Sequence, residues 1–134
     1  MVTHEDIEHF LDRLSADGAT HTELSEGIWN VKPAGALDFG VVVNYSPPVV
    51  VLRIKVMDLP AGGPQRGALE HRLLELNGND LLHGSYGIQK DEVVLIEALE
   101  LEHLDFEEFL SAYESITLAL ASHIRELASF REAR

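Results

Sequence analysis

The segment from residue 69 to residue 127 most constrains how this chain folds. Leucines recur at helical spacing over residues 69–76, and the Asn-Gly pair at 77–78 predicts the end of that helix. Two short strands follow with a Lys-Asp turn at 90–91, and apolar residues then return every three or four positions over residues 105–127. The segment therefore predicts a helix, a β-hairpin and a long terminal helix that share one core.

The first half of the chain supplies one more helix and further strands. A capping box at residues 3–6 begins an amphipathic helix, which is predicted over residues 4–17. Residues 22–33 predict one weak strand, and period-two alternation predicts two clear strands over residues 37–45 and 49–57. Together with the later hairpin, these segments make five predicted strands.

The elements come in the order α-β-β-β-α-β-β-α. Helices and strands segregate instead of alternating as βαβ units, so we predict an α+β fold with a mainly antiparallel five-stranded sheet packed by helices. A chain of 134 residues, 46% of them hydrophobic, is sufficient for one real core. We therefore predict a single domain over residues 1–134.

Charge and cysteine content exclude several classes of function. Ten Lys and Arg against 23 Asp and Glu give a formal net charge of −13, which repels phosphate, so we expect neither nucleic acid nor a membrane as partner. The absence of cysteine excludes disulfides, thiolate catalysis and cysteine-bound zinc, and agrees with a reducing compartment. The N-terminal residues lack the basic start and apolar run of a signal peptide, so we expect a cytoplasmic protein.

Two short motifs raise the alternative of an enzyme, and neither has the required spacing. His4 with Glu8, and Glu5 with His9, are spaced like zinc ligands on a helix, but a His-Glu-x-x-His motif and a third ligand are missing. The Gly-Ser-Tyr-Gly sequence at 84–87 places one glycine beside the serine, whereas a nucleophile elbow needs glycines two positions away on both sides. We predict no catalytic residue, no metal ligand and no cofactor, and keep a small metal-dependent hydrolase as the least favoured alternative.

An acidic run precedes and begins the last helix. It lacks the Asp-x-Asp-x-Asp-Gly spacing of a calcium loop, so a solvated surface is the favoured interpretation and a basic partner segment the alternative. Its members are Glu97, Glu100, Glu102, Asp105, Glu107 and Glu108.

Three valines of the first clear hairpin lie on the face opposite to its main apolar stripe. They are Val42, Val49 and Val51. Ordinary β-propensity, or cover by a helix or a second subunit, explains them as well as a patch or strand edge that accepts an extended peptide does. We carry them forward as candidate partner-binding residues.

The second half of the chain resembles the type III secretion chaperone-like superfamily, which includes the CesT-type secretion chaperones and the YbjN-type proteins. The matching pattern is the Leu-Leu-Glu-Leu-Asn sequence at 73–77, the glycine-containing strand at 82–88 and the second strand at 93–96. It continues with the leucine-rich approach at 99–104 and the helix start Asp-Phe-Glu-Glu-Phe-Leu at 105–110. The first half agrees with the family only in the order of its elements.

The resemblance implies a compact homodimer without enzymatic activity or cofactor, whose surfaces hold a partner polypeptide in extended form. It also implies that the second helix joins the two subunits, so Leu69, Leu73 and Leu76 are candidate dimer-interface residues as well as candidate intrachain core. We therefore predict a protein-binding module of the secretion-chaperone type. The alternative within the same fold is a YbjN-like regulatory protein that docks on a folded partner.

Overall fold

The computed structural model describes residues 1–35 and 37–131, and across them the chain forms three helices and six strands. The helices are α1 (His4–Ser15), α2 (Gly63–Asn79) and α3 (Phe106–Ala128). The strands are β1 (Thr20–Ser25), β2 (Ile28–Lys32), β3 (Val41–Ser46), β4 (Val49–Asp58), β5 (Ser85–Gln89) and β6 (Glu92–Glu100).

The helices begin where the sequence places capping residues. Thr3 and Asp6 form the predicted reciprocal capping box at α1, with the Thr3 hydroxyl accepting from the Asp6 amide at 3.2 Å. Asp105 accepts a hydrogen bond from the Glu108 amide at 2.7 Å at the start of α3. Pro64 lies in the first turn of α2, where its missing amide proton is not needed.

The sheet has six strands and not the predicted five. Residues 22–33 are not one weak strand: β1 and β2 are the two arms of an antiparallel hairpin that turns at Gly27, whose φ is +79°. The element order is therefore α-β-β-β-β-α-β-β-α. The Thr-His-Thr-Glu-Leu-Ser sequence of β1 escapes pattern recognition because the strand is an exposed edge, held by pairing and not by burial of alternate side chains.

All neighbouring strands are antiparallel, in the order β1-β2-β3-β4-β6-β5. The β5–β6 hairpin turns through Lys90 and Asp91, both with positive φ, as its sequence predicts. α2 carries the chain from β4 to β5, and the hairpin then brings β6 back between these two strands. β5 is therefore the second edge of the sheet.

The three helices share one core with one side of the sheet, here called the helix face. Its strand residues alternate with half-exposed ones, so that Val41, Val43, Val50, Leu52 and Ile54 are fully buried. Side chains from all three helices join these residues in a single apolar cluster. The side chains on the opposite side of the same strands are therefore not covered by these helices.

Gly84 lies where the backbone approaches two neighbouring elements closely. Its φ is +77°, and a Cβ there would lie 3.0 Å from both the Ile116 side chain and the Ile96 carbonyl oxygen. The backbone just before β5 therefore lies close to both α3 and β6, and Ser85 is exposed at the start of the strand.

Candidate functional site

The open face of the sheet, defined by the side chains of β3, β4 and β6 that point away from the helices, holds all three candidate partner-binding valines. Val42, Val49 and Val51 are half-buried and none of them belongs to the core cluster. The pairing of β3 with β4 sets Val42 beside Arg53 and Val51 beside Asn44. The structure therefore brings the three valines onto one surface, as the alternation predicts.

The sequence interpretation missed the two accessible apolar members of this surface on β6, Ile96 and Ala98. Cross-strand pairing places Ala98 beside Val51 and Ile96 beside Arg53, which extends the apolar band across three strands. The signal was present, because Ile96 and Ala98 are the alternate positions to the buried Leu95.

One end of the open face is charged and internally paired. Arg53 donates to Gln89 at 3.0 Å and lies 3.6 Å from Glu92, while Lys55 contacts Glu92 at 3.0 Å and Asp58 at 3.1 Å. These ion pairs keep the cations on the sheet surface. A ligand on the open face would therefore meet an apolar band with a polar border.

The two edges of the sheet differ in their access to another strand. At β5, the Asn77 side chain accepts from the Tyr86 amide at 2.7 Å and donates to the Tyr86 carbonyl at 3.1 Å, as a neighbouring strand would. In the described structure β1 pairs only with β2, and its side chains are mostly exposed. Pairing with an extended segment is thus blocked at the centre of β5 and open at β1.

We expect Asn77→Ala to lower the free energy of unfolding by about 1–3 kcal/mol, because both backbone groups of the buried Tyr86 lose their partner. Urea unfolding followed by circular dichroism measures the change. Asn79→Ala is the control, since Asn79 is an exposed amide on the same helix. Equal stability of the two variants would contradict the bridging role of Asn77.

A buried polar chain joins the end of α2 to β5 and α3. The Tyr86 hydroxyl lies 2.8 Å from His123 Nδ1, and His123 Nε2 lies 3.1 Å from an Asp80 carboxylate oxygen. His123 is 7% exposed, so it needs both partners to satisfy its ring nitrogens. This arrangement connects the end of α2 to β5 and α3 through two polar contacts.

Two tyrosine hydroxyls are buried in different ways. Burial is the main cause that raises the pKa of Tyr113 to about 12, with the Glu114 carboxylate adding to it, and burial also raises the pKa of Tyr86. Among the described residues the Tyr113 hydroxyl has no hydrogen-bond partner, in contrast to that of Tyr86. An unpaired buried hydroxyl lowers the free energy of unfolding, because its lost hydrogen bonds to water are not replaced.

The raised pKa values predict a loss of stability in alkali. Above pH 10 the unfolded chain releases phenol protons that the folded chain retains, so stability falls as pH rises from about 10 towards 12, by about 1.4 kcal/mol per pH unit for each phenol. We expect the free energy of unfolding of Tyr113→Phe to fall less steeply with pH than that of the parent protein, because only one of the two buried phenols remains. Urea unfolding between pH 9 and 11.5 measures this slope. If the free energy of unfolding fell equally with pH in the variant and in the parent protein, the burial of this phenol would be contradicted.

The histidine and serine motifs occupy structural positions. His4 lies 3.1 Å from Glu8 through Nδ1 and 3.3 Å from Glu23 through Nε2, so both ring nitrogens face carboxylates. In the described part of the chain, no group of three or more His, Asp or Glu side chains is arranged to hold a metal ion. Glu97 of the acidic run accepts from the Gly84 amide at 3.0 Å, which helps to hold the turn before β5.

Leu69, Leu73 and Leu76 are placed in the intrachain core. They are 0%, 4% and 0% exposed and pack in the cluster that joins the three helices, which is the second of the two roles left open by the sequence. On the other side of α2, Leu74 is 71% exposed and borders a cleft of about 200 Å³ that also includes Ile88. A dimer role for the three buried leucines stays a prediction.

Comparisons with known proteins give a family and a fold. Residues 1–133 match the model of the CesT_Tir_1 family. No curated protein matches the chain in sequence. Within the described residues, no helix is both long and apolar enough to cross a membrane.

Three solved structures illustrate the likeness in fold. A chain of the ExoU–SpcU complex from the type III secretion system of Pseudomonas aeruginosa has a TM-score of 0.64 at 15% identity, covering 89% of this chain and 94% of that chain. YbjN, a candidate transcription regulator from E. coli, has a TM-score of 0.65 at 13% identity, covering 94% and 96%. A chain of the HopA1–SchA chaperone–effector complex has a TM-score of 0.56 at 14% identity, covering 95% and 94%.

Proposed function

This chain belongs to the CesT_Tir_1 family, and from this membership we propose that it is a protein-binding module that holds an extended or aggregation-prone segment of a partner protein. The match over residues 1–133 confirms the predicted resemblance to the secretion-chaperone-like superfamily. The matching family is of the chaperone type, so the prediction of a non-enzymatic protein is confirmed as well.

The observation that carries the proposal is the open face of the sheet. Val42, Val49 and Val51 remain half-exposed beside Ile96 and Ala98, although the three helices of the described residues all pack on the other side. A partner segment that covers this apolar band would gain burial without any rearrangement of the core. The open edge at β1 offers backbone pairing to a segment that continues past the band.

The mechanism we propose is passive. Apolar side chains of the partner leave water as they cover the open face, while the formal charge of −13 keeps the complex soluble and repels other copies of the same complex. No chemical step is involved. A cytoplasmic location agrees with this role and stays a prediction.

We also propose that the protein works as a homodimer. Because Leu69, Leu73 and Leu76 fill the intrachain core, a contact through α2 would use its exposed side, where Leu74 lies. The cleft beside Leu74 and Ile88 supports this geometry, since it gives an apolar side chain of the second copy a place to pack.

The second candidate function is docking on a folded partner in a regulatory role. The likeness in fold to E. coli YbjN favours it as the alternative. The two functions differ in the state of the partner, because a chaperone of this kind binds an extended segment, whereas a regulator recognises a folded surface.

Affinity capture from two forms of the same cell lysate separates the two functions. One portion stays native, and the other is unfolded in urea and rapidly diluted in the presence of the immobilised protein. We expect the same partner from both portions, with at least as much from the unfolded one. Capture from the native portion alone would support docking on a folded surface and contradict the proposal.

A further inference from the structure

A cleft of about 280 Å³ lies between the end of α1, the segment that follows β2 and the middle of α3. It is separate from the open face and lies on the helix side of the sheet. Apolar side chains form most of its wall, and Leu118 at its border is 67% exposed. These wall residues are Leu14, Ala19, Pro33, Leu37, Leu110 and Leu118.

Tyr113 also lines the cleft, and its hydroxyl is unpaired in the described part of the chain. The residue is 6% exposed, and its hydroxyl oxygen is buried without a hydrogen-bond partner among the described residues. The phenol stays protonated throughout the physiological range, so it is available to donate to a carbonyl oxygen. A ligand that supplies this acceptor would remove the cost of the orphaned donor.

Two carboxylates add a charge preference. Asp17 and Glu114 line the same cleft, and neither forms an ion pair within the described part of the chain. By contrast, Glu107 at the start of α3 is paired with Arg13. The cleft therefore combines an apolar wall, one buried donor and two unpaired acids, which suits a cation on an aliphatic stem.

We propose that this cleft, here called the Tyr113 cleft, is an anchor site for an apolar residue and an adjacent Lys or Arg of a partner peptide, with a peptide carbonyl accepting from Tyr113. The volume lies below the roughly 300–1,000 Å³ of drug-sized sites, and fits one or two side chains. Less than 1 Å² of the hydroxyl oxygen is exposed, so side chains that line the cleft must rotate to admit the carbonyl. The proposal rests on the protein-binding function and names a sequence preference for it.

The probe is the capped hexapeptide acetyl-Ala-Ala-Leu-Arg-Ala-Ala-amide. Its binding is measured by fluorine NMR of the protein labelled with 3-fluorotyrosine. The chain has three tyrosines, so each resonance is assignable by substitution with phenylalanine. We expect saturable movement of the Tyr113 resonance alone. Movement of no resonance, or of the Tyr45 or Tyr86 resonance instead, would overturn the proposal.

Tyr113→Phe gives the sharpest signature. Because its hydroxyl is unpaired, we expect the variant to melt at the same temperature as the parent protein or higher, and to bind the hexapeptide about three- to tenfold more weakly, as measured by calorimetry. Tyr86→Phe is the matched control: it loses the bond to His123, so it should melt lower and bind the peptide unchanged. A lower melting temperature for Tyr113→Phe, or unchanged binding, would overturn the assignment.

The charge preference has its own test. The double variant Asp17→Asn/Glu114→Gln should lose about three- to tenfold in affinity for the Leu-Arg peptide and nothing for a Leu-Ala peptide. Equal loss for both peptides would contradict the role of the carboxylates. If the peptides do not bind but the protein still captures its partner, the anchor site at the Tyr113 cleft is contradicted and the protein-binding function is not. If the peptides do not bind and no partner is captured, both proposals are contradicted.

Discussion

We expect Leu73→Asp to remove most of the stability of the protein, whereas Leu74→Asp leaves the fold intact. The two leucines are neighbours on α2, but Leu73 is 4% exposed and Leu74 is 71% exposed. Leu→Ala at a buried position already costs about 2–5 kcal/mol, and a buried carboxylate adds desolvation. A total of at least about 4 kcal/mol is a large part of the roughly 5–15 kcal/mol that stabilises a domain.

Urea unfolding and light scattering of the two variants test this expectation. Leu74→Asp should unfold at the urea concentration of the parent protein and should change the mass in solution if α2 joins the subunits. A stable Leu73→Asp variant with a changed oligomeric state would contradict the intrachain placement of Leu73. It would support a dimer seam at the three buried leucines instead.

The double variant Val49→Asp/Val51→Asp should abolish partner capture and keep the fold. Both side chains lie on the open face outside the core cluster, so the substitutions should cost only about 1–2 kcal/mol of stability, mainly through lost β-propensity. Two carboxylates in the middle of a desolvated apolar contact should weaken binding by at least about tenfold.

Leu82→Asp is the matched control for this variant. It makes the same kind of change at a leucine that is 91% exposed and lies between α2 and β5, outside the strands that form the open face. We expect it to capture the partner as the parent protein does. A partner retained by both variants would move the binding surface elsewhere and favour the β1 edge or the Tyr113 cleft.

Sequence alone predicted the parts of the fold that depend on local physics. The capping box at Thr3, the cap at Asp105 and the long apolar stripe of α3 all stand as predicted, because each signal lies within one turn or on one face of a helix. β1 was missed as a separate strand, because an edge strand with one exposed leucine buries too little to impose a two-residue period.

The candidate site was partly predictable for a related reason. Alternation placed Val42, Val49 and Val51 on a common face, but only the strand order shows that β6 brings Ile96 and Ala98 beside them. Periodicity also could not decide the role of the leucine stripe of α2, since the same spacing suits an intrachain core and a dimer seam. The Tyr113 cleft joins three distant segments and has no local signal.

Limited proteolysis of the captured complex tests the central claim most directly. The partner is purified on the immobilised protein, digested while bound, and the fragments that remain attached are identified by mass. The proposal predicts one short partner segment that survives on the protein and binds again as a synthetic peptide, with the Val49→Asp/Val51→Asp variant retaining none of it. Survival of an intact folded domain of the partner, with no binding by any of its peptides, would contradict the claim that this protein holds an extended segment.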